Sequence, residues 1–322
     1  MKRLSLGKIP IEVLDSTFLK MTGAHSPAIV TPPLAGLDFA AVKVGRKYMI
    51  VSADPVTGVV EEIGRYAICV SANDVATSGS RPQFAESVVL LPEEADVGYA
   101  EKIARQMDSE ARKSRISIVG GHTEVTPGLH RPIVIVTTFS FVDGYVSSRD
   151  AKRGDTLMMT KTAGLEGTAV LGGLRKFLQM LSVVEEATAA YATGAVHAMH
   201  DCTEGGVLGA AFEMSLASGL GFEMKAEKVP VALETWDVCQ RMAIDPLKLI
   251  GSGALLLAVE KGREREVTMA LSPICKVSTV GEFTKVGRTL VKANGRRQSL
   301  LEAPEDELWR AIGRMPGRRY RI

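Results

Sequence analysis

Short oxygen donors stand at intervals along this chain beside glycine or apolar residues: Asp38, Asp54, Asn73, Asp74 and Asp201. They fall in the stretches Gly36-Leu37-Asp38, Ser52-Ala53-Asp54, Ser71-Ala72-Asn73-Asp74 and Asp201-Cys202-Thr203-Glu204-Gly205-Gly206, with Gly120-Gly121-His122-Thr123-Glu124 as a fifth. Mg²⁺ takes hard oxygen ligands, usually a few carboxylates together with phosphate and water. Asp38, Asp54 and Asp74 are of that type. Asn73 and Asp74 lie within an apolar helical pattern, where a buried acid demands a cation or dense hydrogen bonding. Paired glycines after an apolar run, as at Gly120-Gly121, let a backbone approach phosphate, and Thr123 adds a hydroxyl. Gly205-Gly206 before a helix offers amide N–H groups at the positive end of its dipole. Singly, each feature also has a plainer reading. An Asp at a strand end is commonly a turn residue, and paired glycines commonly form a turn. His122 alone reads as a hydrogen-bonded structural histidine, and Glu166 and Glu204 as acids of a first helical turn. Neither GxxxxGK[ST] nor GxGxxG occurs.

The elements that would position these residues alternate. Apolar spacing predicts helices over 11–21, 61–78, 97–113, 185–200, 205–218, 233–242 and 263–271, with a further helix starting near Glu166. Strands are predicted at 40–44, 47–53, 83–91, 116–119, 132–142, 156–160, 221–225, 254–259, 276–283 and 289–292. A charged, turn-prone stretch at 147–155 suggests a boundary between domains at 1–150 and 151–322. Alternation of this kind is α/β or α+β in character.

The chain has 322 residues, of which 46% are hydrophobic and 24% charged, a globular composition large enough for two domains. Lysine and arginine total 39 against 37 acids, which argues against a dedicated nucleic-acid binder. No apolar stretch approaches the roughly 20 residues of a membrane span. No secretory signal follows the N-terminus, and four cysteines without a CxxC pair read as reduced thiols of a cytoplasmic protein. The basic end of the chain (Arg310, Arg314, Arg318, Arg319, Arg321) could bind anions or an acidic partner, or simply be solvated.

The order and wording of the motifs resemble the PurM-like (AIR synthase-related) ATP-binding superfamily, which includes aminoimidazole ribonucleotide synthase, thiamine-monophosphate kinase, selenophosphate synthetase and the hydrogenase maturation protein HypE. The resemblance rests on SANDVATSGSRP (71–82), GLDFAAVKV (36–44), VSADPVT (51–57), IVGGHTEVTPG (118–128), TKTAGLEGTAVL (160–171) and DCTEGGVLGA (201–210). GKIP (7–10) is similar to the start of HypE-like members. The resemblance implies an N-terminal α/β domain whose sheet pairs with that of a second subunit, followed by an α+β domain. It implies a homodimer with ATP in a cleft near the subunit interface. Asp38, Asp54, Asn73 and Asp74 would hold Mg²⁺ and the phosphates, and Gly120, Gly121, His122, Thr123 and Glu124 would line the cleft. Asp201, Gly205 and Gly206 would bind from the second domain, and Gly164 and Gly167 would hold phosphate or acceptor. Asp74, His122 and Asp201 are the expected catalytic residues. The implied chemistry is phosphorylation of an amide or carboxyl-type oxygen, as in hydrogenase maturation. HypE members end in a cysteine, whereas this chain ends in Ile322 and its last cysteine is Cys275. The expectation is therefore a separate small-molecule or protein acceptor, with a maturation partner. Another kinase or cycloligase of the superfamily, or a non-catalytic nucleotide-binding scaffold, are the alternatives.

Overall fold

The computed structural model describes residue 4, residues 6–57 and residues 61–314. The first half contains α1 (Ile11–Ser16), β1 (Ile29–Thr31), β2 (Ala40–Val44), β3 (Lys47–Val56), α2 (Ile63–Ala76), β4 (Phe84–Leu91), α3 (Val97–Ser114), β5 (Ser117–Val125) and β6 (Ile133–Val142). The second contains β7 (Thr156–Thr160), α4 (Leu165–Gly172), α5 (Val184–Ala192), β8 (Val196–Asp201), α6 (Gly206–Ser218), β9 (Gly221–Lys225) and α7 (Leu233–Met242). It continues with β10 (Leu255–Val259), α8 (Glu264–Leu271), β11 (Val277–Thr284), β12 (Arg288–Val291), β13 (Arg297–Ser299) and α9 (Glu307–Gly313). One mixed sheet runs β1-β2-β3-β6-β4-β5, and a second runs β13-β12-β9-β11-β7-β10-β8. The result is a two-domain α/β fold, each sheet carrying helices.

Three expected elements take other bounds, and β1, β13 and α9 appear where the sequence predicted no element. The helix expected over 185–200 ends at Ala192, and Val196–Asp201 forms β8 instead. Gly194 takes φ +65°, which breaks the helix, and β8 then pairs with β10 with Asp201 opposite Leu255. The strand expected to stop before Gly120 continues to Val125. A register shift at Ala85/Glu86 absorbs an extra residue there. Gly121 sits at φ +156°, where a Cβ would lie 2.0 Å from the Ser87 carbonyl oxygen, so only glycine permits the close approach. The N-terminal helix is shorter than expected, ending at Ser16.

Helix α2 explains how the two sheets become one body. Its small and apolar residues are buried on every side, as expected of a helix sandwiched inside a core. A single apolar cluster joins Ile63, Ala67 and Ile68 of this helix to Val134 and Val136 of β6. The same cluster includes Leu181, Val184, Met199 and Leu257 from the second domain. At the end of α2, fully buried Asn73 donates from Nδ2 to the Leu181 carbonyl at 2.7 Å and accepts from the Val183 N–H at 2.9 Å. Both polar atoms of the amide thus engage the other domain's backbone. Asn73→Ala would orphan a buried donor and a buried acceptor, and we expect a loss of about 2–4 kcal/mol in chemical denaturation. A loss below about 0.5 kcal/mol would show that the clamp contributes little.

Candidate active site

Four aspartates meet where the two domains adjoin. Asp54 projects from β3 and Asp74 from α2, and these elements pack on one another. Asp74 accepts a 2.7 Å hydrogen bond from the Ser52 hydroxyl and lies beside Asp54. Asp38 lies in the loop before β2. That loop can press against α6 because Gly36, at φ +85°, leaves no Cβ to strike the Glu213 carbonyl oxygen 2.3 Å away. Asp201 ends β8 and is buried. Asp38, His200 and Asp201 offer ligand atoms within 4.8 Å of one another. Asp38 Oδ2 and Asp201 Oδ2 are buried without a hydrogen-bond partner among the described residues.

The electrostatics follow from that crowding. Burial, and then the charges of Asp54, Asp201 and Asp38, push Asp74 well above the usual carboxylate range. Burial and Asp38 do the same to Asp201, and burial raises Asp54. Neighbouring carboxylates such as Asp54 and Asp74 cannot both ionise freely, which favours a shared proton. Two cations from the chain itself offset part of this charge. His200 Nε2 stands 3.0 Å from Asp38 and 3.2 Å from Glu213, while its Nδ1 donates to the Asp201 carbonyl at 2.7 Å. Burial alone would depress this imidazole, but the Asp38 and Glu213 carboxylates hold it protonated, well above its ordinary range. Lys8 Nζ reaches Glu213 at 3.1 Å, and its backbone N–H donates to Glu204 at 2.7 Å. Against the penalty of burial, Lys8 and His200 bring Glu213 down to about 2.

Lys8, His200 and Glu213 were not among the site residues expected from sequence. Glu213 had a signal: it is the single charged residue in the apolar helix GVLGAAFEMSLAS, and a lone acid there implies a buried partner. His200 was hidden by the misassigned helix, and Lys8 by its distance along the chain.

Other expected residues lie elsewhere. Asn73 spends one donor and one acceptor of its amide on the interdomain clamp. The amides expected to be bare at α6 are taken: Gly205 N–H donates to Asp306 at 2.7 Å and Gly206 N–H to the Thr203 carbonyl at 3.0 Å. A Cβ on Gly206 would lie 2.7 Å from the carbonyl oxygens of Leu247 and Leu249. Gly167 donates its N–H to Ile250 and packs on Leu249, and Gly164 is the left-handed N-cap of α4. Packing within the chain is thus the evident use of these glycines. Burial raises both Glu166 and Asp306, near the same turns, to about 7. Gly120, Gly121, His122, Thr123 and Glu124 lie on β5, an exposed edge strand, where His122 contacts Glu124 at 3.0 Å. The cross-strand row Asp54–Val136–Ser87–Gly121 links them to the acidic cluster. Three strand spacings put β5 about 14 Å from β3. Of the basic tail, Arg310 pairs with Glu307 and Arg314 donates to the Met242 carbonyl. Arg318, Arg319 and Arg321 lie outside the described residues.

Two family descriptions match this chain: the N-terminal domain of AIR synthase related protein over residues 36–142 and its C-terminal domain over residues 152–294. The chain belongs to this AIR synthase-related, PurM-like family. Carbamoyl dehydratase HypE of Escherichia coli is 29% identical over 221 residues, covering 65% of this chain and 66% of that protein. A HypE structure in a HypE–HypF complex superposes with a TM-score of 0.78 at 22% identity, covering 90% of this chain and 99% of that one. HypE in complex with ATP gives 0.72 at 20% identity, covering 93% and 96%. No helix among the described residues is long and apolar enough to cross a membrane.

The raised carboxylates give the fold a pH signature. A carboxyl whose folded pKa lies above its unfolded value near 4 loses stabilisation as pH rises above that value. For Glu166 and Asp306 the window closes near 7. Protonated His200 acts in the same direction. In chelator, the thermal midpoint should fall between about pH 5 and about pH 8, and saturating Mg²⁺ should raise it more at the higher pH. The same Mg²⁺ increment at both pH values would contradict the assignment of a cation to these aspartates.

Proposed function

We propose that the protein is an ATP- and Mg²⁺-dependent enzyme that phosphorylates an amide or carboxyl-type oxygen of a separate acceptor. The observation that carries this reading is the set of four aspartates drawn from both domains, with two buried carboxylate oxygens left without partners. Hard donors in that state fit a small divalent cation. Asp38, Asp54, Asp74 and Asp201 would hold Mg²⁺, which supplies charge neutralisation to the transferring phosphoryl group. Lys8 and His200 add fixed positive charge on the Glu213 side of the cluster.

The acceptor oxygen forms a bond to the γ-phosphorus as the bridging bond breaks with its electron pair onto ADP. With an amide, departure of that oxygen as phosphate and loss of two protons from nitrogen leaves a nitrile, a net dehydration. This is the outcome named for carbamoyl dehydratase HypE. The described thiols are poor carriers for such a group. Cys69, Cys202 and Cys239 are buried, and burial pushes Cys275 up to about 11. An acceptor from outside the described residues fits this, and the structural likeness to HypE bound to HypF supports a protein partner in maturation.

The β5 residues enter this reading through a homodimer. The strand is exposed along its whole length, including Ile118, Val119 and Val125, and among the described residues has no neighbour on one side. Pairing with a second copy would cover that edge. It would also set Gly120, Gly121, His122, Thr123 and Glu124 along a cleft that continues from Asp54 toward the subunit boundary.

Asp74→Asn should reduce ADP release at least on the order of 100-fold, while raising the thermal midpoint in chelator at high pH, where ionising the buried carboxyl costs the wild-type protein stability. Undiminished turnover would remove Asp74 from the site. Val119→Lys on β5 should convert a dimer to a monomer in light scattering. An unchanged mass would place the subunit contact elsewhere.

A further inference from the structure

Away from the aspartates, Lys161 closes a second polar site that the proposed reaction does not use. Its ammonium donates to the carbonyl oxygens of Met180 at 3.0 Å, Ser182 at 2.7 Å and Gly253 at 2.9 Å. Glu186 Oε1 completes the shell at 2.6 Å, and the two side chains are only 10% and 5% exposed. An ammonium has three protons, and here it faces four acceptors. Three carbonyls and one carboxylate are also a shell that suits a spherical monovalent cation, as carbonyl rings in K⁺ pores do.

The backbone is shaped around this shell. Lys161 itself adopts φ +54°, a left-handed conformation unfavourable for a lysine. Gly253 takes φ +107°, and a Cβ there would lie 2.3 Å from the Met180 carbonyl oxygen. Two separate segments therefore turn their carbonyls inward, residues 180–182 and the turn before β10, toward the ammonium that the loop after β7 supplies. An unpaired Glu186 in that place would carry a large desolvation penalty, so the site needs a positive charge.

We propose that this is a monovalent-cation site in which Lys161 serves as a tethered cation. Two of its four contacts fasten residues 180–182, whose central residue Leu181 is gripped by Asn73 from the other domain. The turn at Gly253 leads directly into β10, which pairs with the strand bearing Asp201. The site thus positions both the clamp and one wall of the aspartate cluster without touching substrate.

Truncation should expose the site to an outside cation. Lys161→Ala should lower the thermal midpoint by roughly 5–10 °C. Propylammonium or K⁺ at tens of millimolar should restore at least half of that loss, and tetramethylammonium at equal ionic strength should not. Lys161→Met fills the channel with an uncharged side chain and should show no selective response to any of these ions. The thermal midpoint is the readout, so the outcome is independent of catalysis. Failure of both propylammonium and K⁺ to restore Lys161→Ala, whether the variant is folded or unfolded without them, would overturn the proposal. Equal restoration by tetramethylammonium, or an equal response from Lys161→Met, would also overturn it, since either would be a general salt effect.

Discussion

Asn73 grips the second domain with both atoms of its amide, and the neighbouring residue, Asp74, enters the acidic cluster. This adjacency ties the joining of the domains to the making of the site. A helix one residue out of register would turn the amide away from Leu181 and Val183 and carry Asp74 away from Asp54. The buried apolar surface around α2 supplies most of the attraction between the domains, but it is non-directional. The two hydrogen bonds of Asn73 fix the register in which that surface packs.

The site works against the fold that builds it. Several carboxylates held together in a buried place repel one another and resist desolvation. The chain limits the cost with its own charges: Lys8 and protonated His200 bracket Glu213 and Asp38. Protons on the raised carboxylates limit it further. Such a cluster is poised to exchange protons for a divalent cation, because a metal supplies the positive charge that the protons supplied before. Lys161 and Glu186 show a closed counterpart, where an ammonium already satisfies the acidic partner.

Glycine has a more varied role than its count of 31 suggests. Gly36 lets the Asp38 loop meet α6, and Gly121 lets β5 cross Ser87 closely. Gly206 lets α6 start against Leu247 and Leu249, and Asp306 accepts the Gly205 N–H just before it. The glycines expected to cradle phosphate from the second domain also serve packing in this chain.

The sequence by itself determined the alternation of strands and helices, the family motifs and the acids Asp38, Asp54, Asp74 and Asp201. Local periodicity and short motifs are written in neighbouring residues, so these features were legible. Tertiary structure alone decided which of the singled-out residues converge. Asn73 and Asp74 are adjacent and differ little in type, yet one faces a peptide backbone and the other a carboxylate. Lys8 and Glu213 lie 205 residues apart, and no local pattern announces their pairing. His200 was lost to a helical reading because the break at Gly194 depends on β8 finding β10. Charge–charge energies and hydrogen-bond satisfaction depend on distances between segments remote in the chain, and folding sets those distances.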